Sequence, residues 1–163
     1  MRLIILSVAI AAAWTGSGAA HEYKIGFLQI IHPHIRENPK GSTVAAGYVT
    51  IKNHGESADK LIGASATIAQ RVELHETSIA DGVVKMRQII DGLQIAPGQI
   101  VELRQGGHHF MLVGLTQPPK KGEWIKGTLL FEKQGPVEIT YMVEPVGGSS
   151  IAPGSEDPRN HAH

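Results

Sequence analysis

His109 and Met111 stand two residues apart in "GGHHFMLVGL", and His75 and Met86 flank the segment "ETSIADGVVK". Imidazole nitrogens and thioether sulfurs are neutral donors. Soft thioethers select Cu(I), and imidazole accepts it. Carboxylates, which hard cations want, are absent from this set of four. A thioether binds no proton in the physiological range, so protons compete with the metal only at the imidazoles. Binding is therefore expected to weaken as pH falls through the imidazole range. The methionine census points the same way. The chain has Met1, Met86, Met111 and Met142, and Met1 belongs to an apolar leader, so two of the other three fall in this constellation.

Only extended chain can position these four side chains. On a strand, residues two apart share a face, so His109 and Met111 point together and His108 points away. "VELHETSIADGVVKMRQI" has the alternation of a hairpin with its turn at "ADG". With the loop centred between Ala80 and Asp81, His75 stands directly opposite Met86, their Cβ atoms roughly 4.5–5.5 Å apart. The two imidazole–thioether pairs, brought together, make an N₂S₂ site.

The surrounding sequence supplies the strands. Runs such as "YKIGFLQII", "AAGYVTIKN", "KLIGASA", "QIVELR", "IKGTLLFE" and "VEITYMVEP" recur at short spacing, separated by "ENPKGS", "NHGESAD", "APG", "QPPKKGE" and "KQGP". No segment holds helical periodicity for three turns, and "ATIAQRVEL" has room for one helical turn at most. Many short strands joined by Gly/Pro turns predict an all-β domain, a Greek-key β-sandwich or barrel. The domain is expected over residues 21–146. "GGSSIAPGSEDPRNHAH", residues 147–163, reads as a flexible His-containing tail.

Residues 1–20 read as a secretory leader. Arg2 precedes the apolar run "LIILSVAIAAAW", and small residues lead to a cut before His21. The run is shorter than the roughly 20 residues of a membrane span. The expectation is an exported, soluble, monomeric protein without a membrane span, periplasmic or equivalent. The formal net charge of zero gives no footprint for nucleic acid. The absence of cysteine excludes disulfides, zinc ribbons and blue-copper sites from these 163 residues. Nucleophile–base pairs, phosphate loops and paired catalytic carboxylates do not emerge, so no enzymatic activity is expected.

The ligand layout resembles the periplasmic copper chaperones of the PCu(A)C family, whose motif is His, ten residues, Met, twenty-one residues, His-x-Met. Ten residues separate His75 from Met86, and His109-x-Met111 completes the pattern. "HPHIRENPKGSTVAAGYVTIKNHG", "VELHET", "KMRQI" and "GGHHFMLVGL" resemble the family's flanks, so the likeness runs over most of residues 22–146. It implies a cupredoxin-like β-sandwich, one Cu(I) near the surface, and delivery by ligand exchange to the CuA centre of cytochrome c oxidase. The implied partners are a CuA-containing oxidase subunit and a thiol–disulfide copper chaperone. There are departures. Twenty-two residues lie between Met86 and His109, with the extra one assigned to "IIDGLQIAPG". Counting to His108 restores twenty-one, but Met111 then faces the other way, so His109 is the expected ligand and His108 the alternative. His34 stands where family members often carry Trp.

The remaining candidates are weaker. His32 and His34 flank Pro33 and are expected to be structural or surface residues near a strand end. His54 reads as turn surface, Met142 as core, and Glu73 and Glu76 as solvated charges, with a second reading as acceptors for the His75 ring N–H. His161 and His163, alone or with His21 or the "HPH" pair, form a candidate weaker Cu(II) site. Two rival readings remain: a copper monooxygenase-like enzyme using an N-terminal His21, and a β-sandwich interaction module without metal.

Overall fold

The computed structural model describes residues 22–146, and every regular element among them is a β-strand. The strands are β1 (Glu22–Ile25), β2 (Leu28–Arg36), β3 (Val44–Asn53), β4 (Asp59–Ala66), β5 (Ala69–Ala80) and β6 (Val83–Gln88). They continue with β7 (Leu93–Ile95), β8 (Ile100–Leu103), β9 (His108–Leu115), β10 (Trp124–Phe131) and β11 (Gly135–Glu144). The leader, His21 and the tail with His161 and His163 lie outside the described residues. No helix among the described residues is long and apolar enough to cross a membrane.

The pairings β2–β11–β10–β4–β5–β9–β3 return to β2, so seven strands close into a flattened barrel. Closure leaves those seven without a free edge. The β2–β11 pairing is parallel and the others are antiparallel. The all-β sandwich or barrel expected from the turn spacing is what forms.

Alternation sends Ile30 and Ile35, Val49 and Ile51, Leu74, Phe110 and Leu112, Leu129 and Phe131, and Ile139, Tyr141 and Val143 into one core. On β9 the core residues Phe110 and Leu112 alternate with His109 and Met111, so the candidate ligands lie on the outer wall.

Three local expectations need correction. "YKIGFLQII" does not run straight: Gly26 takes φ +57° and folds the segment into the β1–β2 hairpin, with Ile25 paired to Leu28. Pro33 does not end its strand. β2 runs on to Arg36 with neighbours on both sides, because a register shift between Ile31 and His34 leaves the proline out of the ladder. Met142 is not in the core. It is half-buried on the outer face of β11, in register with Trp124 and His34, because Tyr141 and Val143 occupy the inward positions.

Candidate metal centre

β5 and β9 are adjacent antiparallel strands, and their ladder pairs His75 with His109 directly. The two rings lie 5.9 Å apart between centroids. Glu73 pairs with Met111 and Glu76 with His108 on the same ladder. His109 and Met111 share the outer face with His75, as the two-residue spacing requires. His108 faces the other way, its Nε2 3.6 Å from Glu76 Oε1.

The hairpin register differs from the expected one by two residues. The turn is Asp81–Gly82, with φ of +54° and +74°, and Ala80 pairs with Val83. Two central residues with positive φ suit the twist of the flanking strands, and Asp-Gly fills such a turn readily. Met86 therefore stands opposite Thr77, and His75 opposite Gln88. A shift of two preserves the face, so Met86 remains on the His75 side, displaced diagonally along the ladder. Diagonal neighbours roughly 7–8 Å apart are still within reach of a long, flexible side chain.

Met86, His109 and Met111 line one open cleft of about 530 Å³, together with Tyr48, Thr77, Val84 and Gly106. His75 is set into the wall beside them, with 12% of its side chain exposed. The arm that carries Met86 is different in kind. Every residue of β6 is exposed, and Met86 is 51% exposed, whereas His109 is only 6% exposed. Three candidate donors thus belong to the barrel wall, and the fourth rides on a two-stranded projection.

The ring nitrogens are differentiated. His75 Nε2–H donates to Glu73 Oε2 at 2.9 Å, and His75 Nδ1 is buried without a hydrogen-bond partner. His109 Nδ1–H donates to the carbonyl of Gly107 at 3.1 Å. Both partners are acceptors, so each neutral ring keeps one bare nitrogen, Nδ1 on His75 and Nε2 on His109. A buried bare nitrogen costs free energy unless something fills it. These residues fit a soft cation that is held by neutral donors.

Glu73 was expected to be a solvated charge, but it is the orienting partner of His75. Its carboxylate accepts from Arg71 Nε at 2.6 Å as well as from His75. Arg71 first, and then His75, hold its pKa below the usual carboxylate value, so it stays an acceptor across the neutral range. Glu76, by contrast, pairs with Arg87 on the outside of the arm. The alternation that puts Glu73 and His75 on one face was the available signal.

The structure also gathers three residues that the sequence reading left dispersed. His32 Nε2 lies 2.6 Å from Glu144 Oε1, and His34 Nε2 lies 3.7 Å from Glu144 Oε2. The nitrogens and the carboxylate all fall within 4.8 Å of one another. No periodicity reports that β2 and β11 run side by side, so sequence spacing could not have found this cluster. His54 is exposed, as expected of turn surface, and its ring contacts Gln29.

Comparison with known proteins gives the family and the fold. The family model described as "LpqE-like" matches residues 28–143. A protein of Leifsonia xyli subsp. xyli named "Putative lipoprotein Lxx21020" is 31% identical over 110 residues, 68% of this chain. That match covers 66% of the relative, slightly under two thirds of its length. Among solved structures, the copper-bound PCuAC domain from PmoF2 superposes with a TM-score of 0.65 at 30% identity. It covers 77% of this chain and 98% of that one. The CuI-DR1885 solution structure from Deinococcus radiodurans gives a TM-score of 0.58 at 26% identity, over 77% of this chain and 81% of that one. The chain belongs to the LpqE-like family and shares the fold of the copper-binding PCuAC domains.

Proposed function

We propose that this protein is an exported copper carrier that holds one Cu(I) with His75 Nδ1, His109 Nε2 and the sulfurs of Met86 and Met111. The observation that carries this reading is the direct His75–His109 pairing, with one bare nitrogen on each ring, beside the cleft that Met86 and Met111 line. Two neutral nitrogens and two thioethers suit Cu(I) and leave its single charge undiminished by any ligand. The copper bound in the PmoF2 and DR1885 domains supports the choice of metal.

Copper here is cargo, and this chain's residues account for its holding and release. Glu73 and the Gly107 carbonyl fix the two rings, so the bare nitrogens are presented without rotational search. Met111 sits on the same rigid strand as His109. Met86 sits on the exposed arm, so it is the donor that a partner reaches first. Thioethers donate weakly, and a partner's thiolates displace Met86 and then the remaining donors. The proposed recipient is the CuA centre of an oxidase subunit, with a thiol–disulfide copper chaperone as a further partner. The leader-like run of residues 1–20 and the lipoprotein name of the relative support the export reading. Lipid attachment to a cysteine thiol is not available to these 163 residues. The arrangement calls for transfer and not turnover, so no enzymatic activity is proposed.

The test is competition against a Cu(I) chelator with the wild type and the Met86→Leu/Met111→Leu double variant. Leu conserves volume and removes sulfur. Cu(I) affinity should fall by at least about tenfold, roughly 1.4 kcal/mol, with unchanged folding. Equal affinity in the double variant refutes the ligand assignment. Mixing Cu(I)-loaded protein with a soluble CuA domain then tests the recipient through the appearance of CuA absorption.

A further inference from the structure

We propose that His32, His34 and Glu144 form a second metal site, for a borderline divalent cation, distinct from the His75/His109/Met86/Met111 cleft. The cluster supplies two imidazoles and one carboxylate within 4.8 Å of one another. That donor set is harder than the methionine-containing cleft. It suits Zn(II) or Cu(II), and Cu(II) stands highest in the affinity order for divalent first-row ions.

The hydrogen bonds show what the ion would resolve. His34 Nδ1–H donates to the carbonyl of His32 at 3.0 Å. The neutral ring then turns a bare Nε2 toward Glu144 Oε2, 3.7 Å away, acceptor against acceptor. His34 is 7% exposed, so water has little access to relieve this opposition. A cation between the two groups converts repulsion into coordination. On the other side, the proton shared by His32 Nε2 and Glu144 Oε1 at 2.6 Å occupies the place the ion would take, so the neutral His32 ring must carry its proton on Nδ1 to offer Nε2. Ligand bonds of roughly 2.0–2.2 Å need the donors drawn closer than they now stand. The ring of His32 is the part free to move, because 37% of its side chain is exposed.

Two further features belong to the same place. His32 holds φ +51°, an unusual backbone state for a non-glycine residue, at the irregularity between Ile31 and His34 that lets both histidines face one carboxylate. Arg36 Nη1 donates to the Pro145 carbonyl at 3.0 Å and lies 3.4 Å from Glu144 Oε2. It steadies the Glu144 carboxylate from the side of Oε2. The second site is linked to the first by packing: His34 contacts the ring of Tyr48, 5.2 Å between centroids, and Tyr48 lines the cleft of Met86 and Met111.

The experiment titrates Zn(II) and Cu(II) separately into the full chain, with affinity and stoichiometry as readouts. His32→Asn removes the ring and suits the positive φ, since Asn tolerates that conformation. Glu144→Gln is isosteric. Chains cut after Pro158, and His109→Ala, serve as comparisons. The proposal expects one divalent equivalent in the wild type, at least tenfold weaker in both His32→Asn and Glu144→Gln. That equivalent should persist in the truncated chain and in His109→Ala, and Cu(I) affinity should be unchanged in His32→Asn and Glu144→Gln. No divalent binding by the wild type, undiminished binding in either of those two variants, or loss of binding with the tail or His109 overturns it. Failure of the Cu(I) reading would appear separately, in the methionine variants.

Discussion

His75 and His109 face each other across the β5–β9 ladder as a directly paired couple, 5.9 Å between ring centroids, while His108 pairs with Glu76 one position along. The neighbouring histidines of "GGHHFM" therefore have different prospects. His109→Ala is expected to reduce Cu(I) affinity at least as strongly as the loss of either methionine, and His108→Ala to leave it within about twofold. Chelator competition on both variants checks this. A larger loss in the His108 variant would move the site to the opposite face.

Glu73 offers a finer test. It receives the His75 Nε2–H and, held by Arg71, remains ionised near neutrality. Removal of a partner that orients a metal ligand typically costs about 10–100-fold in affinity. Glu73→Gln keeps an acceptor but loses the charge, so the expected loss of Cu(I) affinity lies near the lower end, about tenfold. The fold should be unaffected, because the carboxylate packs on the outer wall. An unchanged chelator titration would show that Glu73 is only a surface partner of Arg71.

The arm that presents Met86 depends on its turn. Gly82 holds φ +74°, and no atom lies near where a Cβ would stand, so the strain of a larger residue comes from the backbone alone. Gly82→Val should loosen the β5–β6 hairpin while leaving the barrel closed. The expectation is weaker Cu(I) binding, similar to that of Met86→Leu, with a thermal midpoint close to wild type. A large drop in the midpoint would show that the arm is an integral part of the fold.

A pH prediction follows from His34 in the metal-free protein. Burial lowers its pKa from 6.5, outweighing the His32 carbonyl and Glu144, which raise it; His32 and Arg36 lower it further. The unfolded chain then takes up a proton at a pH where the folded chain does not. Stability is full above about 6.5 and declines as pH falls from there toward the lower folded value. His34→Phe, which keeps an aromatic ring beside Tyr48, should flatten that decline. Thermal melts with chelator present, at steps between pH 7.5 and 5, measure it; identical slopes in the two proteins would exclude His34 as the source.

The sequence by itself determined the class of fold and the face of each candidate ligand, and its neutral soft donors pointed to a soft cation. Alternation on a strand is a local property. It put His109 with Met111, excluded His108 from their side, and kept Met86 on the side of His75 even when the hairpin register moved by two residues. The absence of cysteine and the thioether–imidazole composition narrowed the metal before any coordinate was needed. Tertiary structure decided everything that depends on which strands become neighbours. The Asp81–Gly82 turn, and not the expected centre one residue earlier, set Met86 opposite Thr77, because both positive-φ positions must fall on the two central residues. The β5–β9 pairing made His75 and His109 a couple. Closure of the barrel through the parallel β2–β11 contact brought Glu144 to His34 and to His32, the latter 112 residues away in sequence. Hydrophobic periodicity records which face of a strand is buried, but not which strand lies beside it. That is settled by the packing of the whole core, so long-range partners were invisible where local faces were plain.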